Sequence, residues 1–151
     1  MTVHPEQRLT ELGLELPEAP KPVAAYVPTV RTGNLVFVSG QGPFGAAPTG
    51  KVGAEVSVEQ AQAAARIACL NGLAQIKAEI GDLAKVTRIV KLTVYVASAP
   101  GFGDQPRVAN GASELLQEVF GEAGRHARAA VGVSELPFDI PVEIEFVVEV
   151  S

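Results

Sequence analysis

With 151 residues, 47% of them hydrophobic and 19% charged, the chain has the size and composition of one globular domain with a real core, which excludes a disordered polypeptide. A formal net charge of −5, no Lys/Arg cluster and no Trp remove the electrostatic pull and the stacking surfaces that nucleic-acid binders use. No apolar run approaches the roughly 20 residues of a membrane helix; the polar start lacks a signal-peptide pattern and Cys69 is the only cysteine, so a cytoplasmic protein without an intrachain disulfide is expected.

Residues 1–21 read as an N-terminal arm and 22–151 as the folded domain. Within the arm, residues 8–16 are expected to form a short helix. It should end at Pro17, Pro20 and Pro22, whose fixed backbones block regular structure and suggest a segment lying across the domain. The run 34–39 is apolar and β-branched between Gly33 and Gly40, and reads as a buried strand. A Gly/Pro-rich loop follows over 42–53. Ser57 with Gln60 forms a capping box, and the helix it opens should run to Ile80 and stop at Gly81. Ala61, Ala65, Ala68, Gly72, Ile76 and Ile80 share a face of small residues suited to close packing on a sheet. A long strand over 86–97 should bury Val86, Val90, Leu92, Val94 and Val96 and turn Ile89 to the other side with Thr87, Lys91, Thr93 and Tyr95.

A second helix over 106–120 carries the stripe Val108, Ala112, Leu115, Leu116 and Val119 and ends at Gly121. Residues 128–133 are apolar after the first and should lie inside the fold or at a subunit junction. The last strand, 142–150, alternates Val142, Ile144, Phe146, Val148 and Val150 with Glu143, Glu145, Val147 and Glu149. Two closing strands with no helix between them favour an α+β fold, a mixed sheet with two helices packed on one face, over a doubly wound one. The apolar surface left on the other face, Val147 included, is expected to pack against further subunits.

Several motifs fail on context. Gly40 to Gly45 matches G-x-G-x-x-G, but a dinucleotide site needs a helix to begin inside the motif, and Pro43 and Pro48 follow instead. The stretch 45–51 resembles a phosphate loop, yet Val52 stands where a Ser or Thr should reach magnesium. His4 and His126 are isolated and Cys69 sits mid-helix among alanines, so no metal is expected. No G-x-S-x-G elbow is present.

Two features resist a purely structural reading. Arg128 leads the apolar segment Ala129-Ala130-Val131, where a guanidinium needs a partner: an internal acid, or the carboxylate of a ligand, which its planar fork matches bidentately. Glu143, Glu145 and Glu149 line the last strand; each can be a solvated side chain, or one of them can orient a water or move a proton.

These residues also carry a resemblance. Arg31-Thr-Gly-Asn-Leu-Val-Phe-Val-Ser-Gly-Gln41, within 27–43, and His126-Ala-Arg128-Ala-Ala-Val-Gly-Val-Ser-Glu-Leu-Pro137, followed by Pro141-Val-Glu-Ile-Glu145, resemble the YjgF/Rid (reactive intermediate deaminase) family over about residues 22–150. The resemblance implies a chorismate-mutase-like fold, a homotrimer with pockets between subunits, and cofactor-free hydrolysis of enamines or imines to 2-oxo acids and ammonia. It makes Arg128 the carboxylate-binding residue and Glu143 the group that positions water. Tyr26, Ser39 and Asn110 become pocket residues, and Ala130 contributes backbone groups near the substrate nitrogen. Ala129 and Ala130 stand where deaminase members often carry a hydroxyl or thiol, Ala24-Ala25 replace the usual Gly-Pro, and the arm is longer, as in a divergent branch. A non-catalytic protein that binds a small carboxylate such as a 2-oxo acid is the alternative. The ribonuclease activity attributed to some members sits poorly with the acidic balance.

Overall fold

The segment with the cleanest alternation, Val142–Val150, takes the centre of a five-stranded sheet in the computed structural model, which describes residues 4–151. The strands are β1 (Thr29–Thr32), β2 (Leu35–Gln41), β3 (Val86–Ala97), β4 (Ala127–Val133) and β5 (Val142–Val150), and the helices α1 (Pro5–Glu11), α2 (Val58–Ile80) and α3 (Gln105–Phe120). The sheet order is β1-β2-β5-β3-β4, with β4 parallel to β3 and every other pair antiparallel. The closing strands are therefore not neighbours: β3 lies between them, and α3 is the crossover joining β3 to β4. This is the mixed α+β architecture expected.

The hydrophobic pattern fixes which face is covered. Val142, Ile144, Phe146, Val148 and Val150 of β5 are all buried, and α2 and α3 pack on that face and on each other. The capping box forms as read: Ser57 Oγ accepts from the Gln60 amide at 3.1 Å, and Gln60 Oε1 accepts from the Ser57 amide at 3.0 Å. Small residues permit the close layers. A methyl group at Gly72 would collide with the Phe146 ring, and one at Gly111 of α3 would collide with the main chain of α2 at the Gln62 carbonyl.

Four expectations are corrected. The first helix spans Pro5–Glu11 rather than 8–16, because Pro5 is pre-set for a first turn and Gly13, at φ 73°, ends the segment. The strand expected at 34–39 runs on to Gln41, and its hairpin partner β1 had no strong signal, since Val30 and Arg31 are exposed. In β3, Ile89 is buried and Val90 exposed, the reverse of the simple alternation; register shifts on either side of Ile89 add extra residues against β5 and swap the faces. Finally, of the two places expected for β4, the fold interior or a subunit junction, the interior is excluded. β4 is an edge strand whose Val131 is 42% exposed in the single chain.

The arm is tied down. Leu9 is buried, Arg8 Nε donates to the Glu118 carbonyl at 3.1 Å, Glu6 pairs with Lys77, and Gln75 Nε2 donates to the Pro20 carbonyl. No described helix is long and apolar enough to cross a membrane.

The Gly111 contact gives a test in which two effects oppose. Helix propensity alone predicts that Gly111→Ala stabilises by about 1 kcal/mol. The clash with backbone at Gln62 predicts a net loss of about 1–3 kcal/mol, because neither helix can retreat without opening the core. Urea denaturation should show the loss; a gain would mean the α2–α3 contact is looser than described.

Candidate functional site

The edge strand and α3 build the first half of the site. Arg128 pairs in register with buried Leu92, so its side chain leaves the sheet on the helix-covered side, at the open edge. There Nη1 donates to Asn110 Oδ1 at 2.8 Å and to Ser113 Oγ at 3.1 Å. Asn110 and Ser113 are three apart on α3 and so share a face. Both Nη1 hydrogens are thereby used, while the edge formed by Nε–H and Nη2 receives no partner among the described residues. No carboxylate pairs with the guanidinium among them either. Arg128 is exposed rather than buried, so a burial penalty is not what demands a partner. What stands out is that two neutral oxygens hold the charge in place and leave a carboxylate-shaped edge free.

His126 extends this half-site. Its Nδ1 lies 2.7 Å from the Gly124 carbonyl, which can only accept, so Nδ1 carries the proton. Nε2 then accepts from the Ser113 hydroxyl at 2.9 Å, which leaves that oxygen's lone pairs to receive Arg128. Burial first, and then the Arg128 charge, push the imidazole below its ordinary value and favour this neutral form over the opposing pull of the Gly124 carbonyl. Sequence reading set His126 aside as an isolated histidine and missed Ser113; the available signal was the i, i+3 spacing of Ser113 from Asn110.

The second half-site lies elsewhere. Glu143 pairs with Tyr95 on the face that the helices do not cover. The three glutamates of β5 now differ. Glu149 accepts from Thr87 Oγ1 at 2.8 Å and Glu145 from the Tyr95 hydroxyl at 2.7 Å. Glu143 accepts no side-chain hydrogen bond among the described residues and is half-buried. Burial, and then the charge of Glu145, raise its carboxyl above the ordinary value. Gly40 is the reason the carboxylate fits: a methyl group there would stand 2.5 Å from Glu143 Oε1.

Ser39, next to Gly40, donates its hydroxyl to the Val27 carbonyl at 2.7 Å, while its amide donates to the Pro28 carbonyl at 2.9 Å. It therefore fastens the segment that carries Tyr26, a residue that is 47% exposed and borders a cavity that Gly40 also lines. Ala130 sits on the helix side with Arg128, its methyl group packed against the core. Two constellations result: Arg128, Asn110, Ser113, His126 and Ala130 on one side, and Tyr26, Ser39, Gly40 and Glu143 on the other. In one chain β3 separates them, and the guanidinium and the Glu143 carboxylate leave opposite faces of the sheet.

The rejected motifs find ordinary roles. Lys51 pairs with Glu135 at 2.9 Å, and the helix after the glycine-rich loop starts only at Val58. Burial pushes the Cys69 thiol up, and its Sγ faces the Ala112 carbonyl. Among the described residues no group of three or more His, Cys, Asp or Glu could hold a metal.

Comparison with known proteins places these residues in context. A family model described as "YjgF/chorismate_mutase-like, putative endoribonuclease" matches residues 6–147, which takes in much of the arm. Protein TCP17 of Trypanosoma cruzi is 48% identical over 147 residues, 95% of this chain and 92% of its own. The 2-iminobutanoate/2-iminopropanoate deaminase of Dermatophagoides farinae is 31% identical over 139 residues, 91% of this chain and 95% of its own. The crystal structure of Atu1372 from Agrobacterium tumefaciens matches at a TM-score of 0.89 with 50% identity, covering 97% of this chain and 91% of that one.

Carboxyl-detected NMR tests the electrostatics without any substrate. The Glu143 carboxyl should titrate above its ordinary 4.5, and Glu145→Gln should move the midpoint down without restoring it fully, because burial is the larger cause. A Glu143 midpoint at or below 4.5 would contradict the half-buried, unpaired carboxylate.

Proposed function

This chain belongs to the YjgF/Rid family, and we propose that it hydrolyses 2-imino and 2-enamino acids to 2-oxo acids and ammonia. The observation that carries the reading is the Arg128 guanidinium, clamped through Nη1 by Asn110 and Ser113 with no carboxylate beside it among the described residues. A substrate carboxylate takes the free Nε–Nη2 edge in two parallel charge-assisted hydrogen bonds. Glu143 accepts a proton from a water as that water's oxygen attacks the imine carbon, and a raised carboxyl is a better base for this than an ordinary one. Glu143 hands that proton to the imine nitrogen. The new hydroxyl gives up its own proton to the nitrogen as the carbon–nitrogen bond breaks, so the nitrogen leaves as ammonia and the carbonyl oxygen of the 2-oxo acid comes from water. A 2-enamino acid enters the same path after a proton moves from its nitrogen to its carbon. Ala129 and Ala130 offer no hydroxyl or thiol, so contacts to the nitrogen fall to the main chain of the edge strand.

The reaction needs Arg128 and Glu143 at one substrate, and their opposite orientations in a single chain support assembly from two copies. We propose a homotrimer. Phe37, 45% exposed, and Val30, 53% exposed, lie with Val147 and Glu145 along a groove on the uncovered face that a neighbouring copy would fill. The names of relatives such as the Dermatophagoides farinae deaminase support the reaction class at the level of the family. A carboxylate-binding protein without catalysis would use the same anchor and would not need Glu143.

Imino acids generated in situ by an amino-acid oxidase separate these readings. Arg128→Ala should weaken binding of small 2-oxo acids by about 2–5 kcal/mol, roughly 30- to several-thousand-fold. Arg128→Lys should recover little, since an ammonium cannot present a planar edge. Glu143→Gln should cut turnover far more than binding. No acceleration of imine decay by the wild-type protein would reject the hydrolase, and undiminished binding by a folded Arg128→Ala would reject the anchor.

A further inference from the structure

A cavity of about 520 Å³ opens at the end of the sheet, away from Arg128. Its walls come from residues 20–28, the loop 43–49 and the turn 138–141, and they are largely apolar and aromatic, with Tyr26, Phe44, Phe138 and Ile140 among them. That volume falls within the usual range for small-molecule sites, which pair apolar walls with a few placed polar groups.

Two observations distinguish it from loose packing. The first is Gln75 of α2, which lines the cavity and is only 3% exposed. Its Nε2 donates to the Pro20 carbonyl, and the same nitrogen lies 3.5 Å from Gln41 Oε1. Its Oε1 receives no hydrogen bond from the described residues, although no fully enclosed side-chain polar atom among them lacks a partner. The acceptor is therefore not sealed off, and the cavity is an open space that its residue lines. The second observation is at the rim. Phe138 and Asp139 hold φ of 59° and 57°, a left-handed conformation that non-glycine residues adopt at a cost. The strained turn presents the Phe138 ring, 69% exposed, beside the opening. Gly40 links this cavity to the second half-site, since it lines the cavity and also abuts Glu143 Oε1.

We infer that the cavity receives the side chain of an aromatic 2-imino acid, with a ring N–H or O–H donating to Gln75 Oε1 and the reacting carbon held at Gly40 and Glu143. The inference rests on the hydrolase reading for the chemistry at the mouth. It extends that reading from the one- and two-carbon side chains of 2-iminopropanoate and 2-iminobutanoate, for which a relative is named, to an indole or phenol. Tyr26 and Phe138 supply faces and edges for the ring.

Calorimetry on the corresponding 2-oxo acids tests the cavity without requiring turnover. The wild-type protein should bind indole-3-pyruvate at least about tenfold more tightly than pyruvate, given the apolar area removed from water. Methylating the indole nitrogen of the ligand should cost roughly three- to tenfold, since the lost donor leaves Gln75 Oε1 unpaired. Thr49 is an exposed residue lining the cavity, so Thr49→Phe should fill the space while sparing the fold, and it should abolish the preference over pyruvate. Equal affinity for pyruvate and indole-3-pyruvate, or a preference that survives both N-methylation and Thr49→Phe, would overturn the inference. If the affinity order holds while imines are not hydrolysed, the cavity assignment stands and the hydrolase reading falls.

Discussion

Arg128 spends both hydrogens of one nitrogen on Asn110 and Ser113 and meets no carboxylate among the described residues. Much of the site follows from that arrangement. A guanidinium paired with an acid would be neutralised and closed; one held by neutral oxygens keeps its charge and presents a fixed planar edge. The fold supplies the clamp by a specific route. The crossover from β3 through α3 to β4 places β4 at the sheet edge and α3 above it, so that a side chain near the start of the edge strand reaches one face of the helix. Gly111, beside Asn110, lets α3 lie against α2 at backbone contact and so sets the height of the clamp above the sheet. His126 adds a proton-ordered chain behind it, from the Gly124 carbonyl through the imidazole to the Ser113 hydroxyl.

The same topology keeps the anchor from its proposed chemical partner. Residues opposite each other on neighbouring strands share a face. Arg128 shares one with Leu92 and Phe146, beneath the helices, whereas Glu143 shares the other with Tyr95. No side-chain rotation brings the two together across β3. The uncovered face meanwhile carries Phe37, Val30 and the half-buried Glu143 carboxylate, a combination costly to leave in water and useful once covered. The proposed assembly would answer both the divided site and the uncovered apolar face, by bringing a second copy of the chain against them.

Much of this was legible in the sequence where one physical signal dominated. The alternation of β5 and the small-residue face of α2 each gave the right element and the right buried side, because burial and backbone period agree there. Legibility failed where tertiary context overrode the local period. Register shifts in β3 exchanged Ile89 and Val90, and no periodicity count contains a bulge. β1 was invisible because its residues are stabilised by pairing with β2 rather than by burial. Arg128 stood out for a reason that did not hold: its apolar neighbours suggested burial, yet the strand lies at the edge. Ser113, which holds it together with Asn110, and His126, which meets Ser113 from behind, come from an interior helix face and a loop, and only folding makes them neighbours. Gln75 was likewise hidden among the small residues of α2, and its significance comes from the arm that closes over it.

The division of the site between copies is tested most directly by mixing two inactive variants. Arg128→Ala keeps an intact Glu143, and Glu143→Gln keeps an intact Arg128. If each site takes the arginine from one copy and the glutamate from another, an equal mixture unfolded and refolded together should regain imine hydrolysis at about a quarter of the parental rate, the share of sites that draw one suitable half from each variant. If the mixture stays as inactive as its components although it assembles normally, both groups act from a single chain and the two-copy site is contradicted.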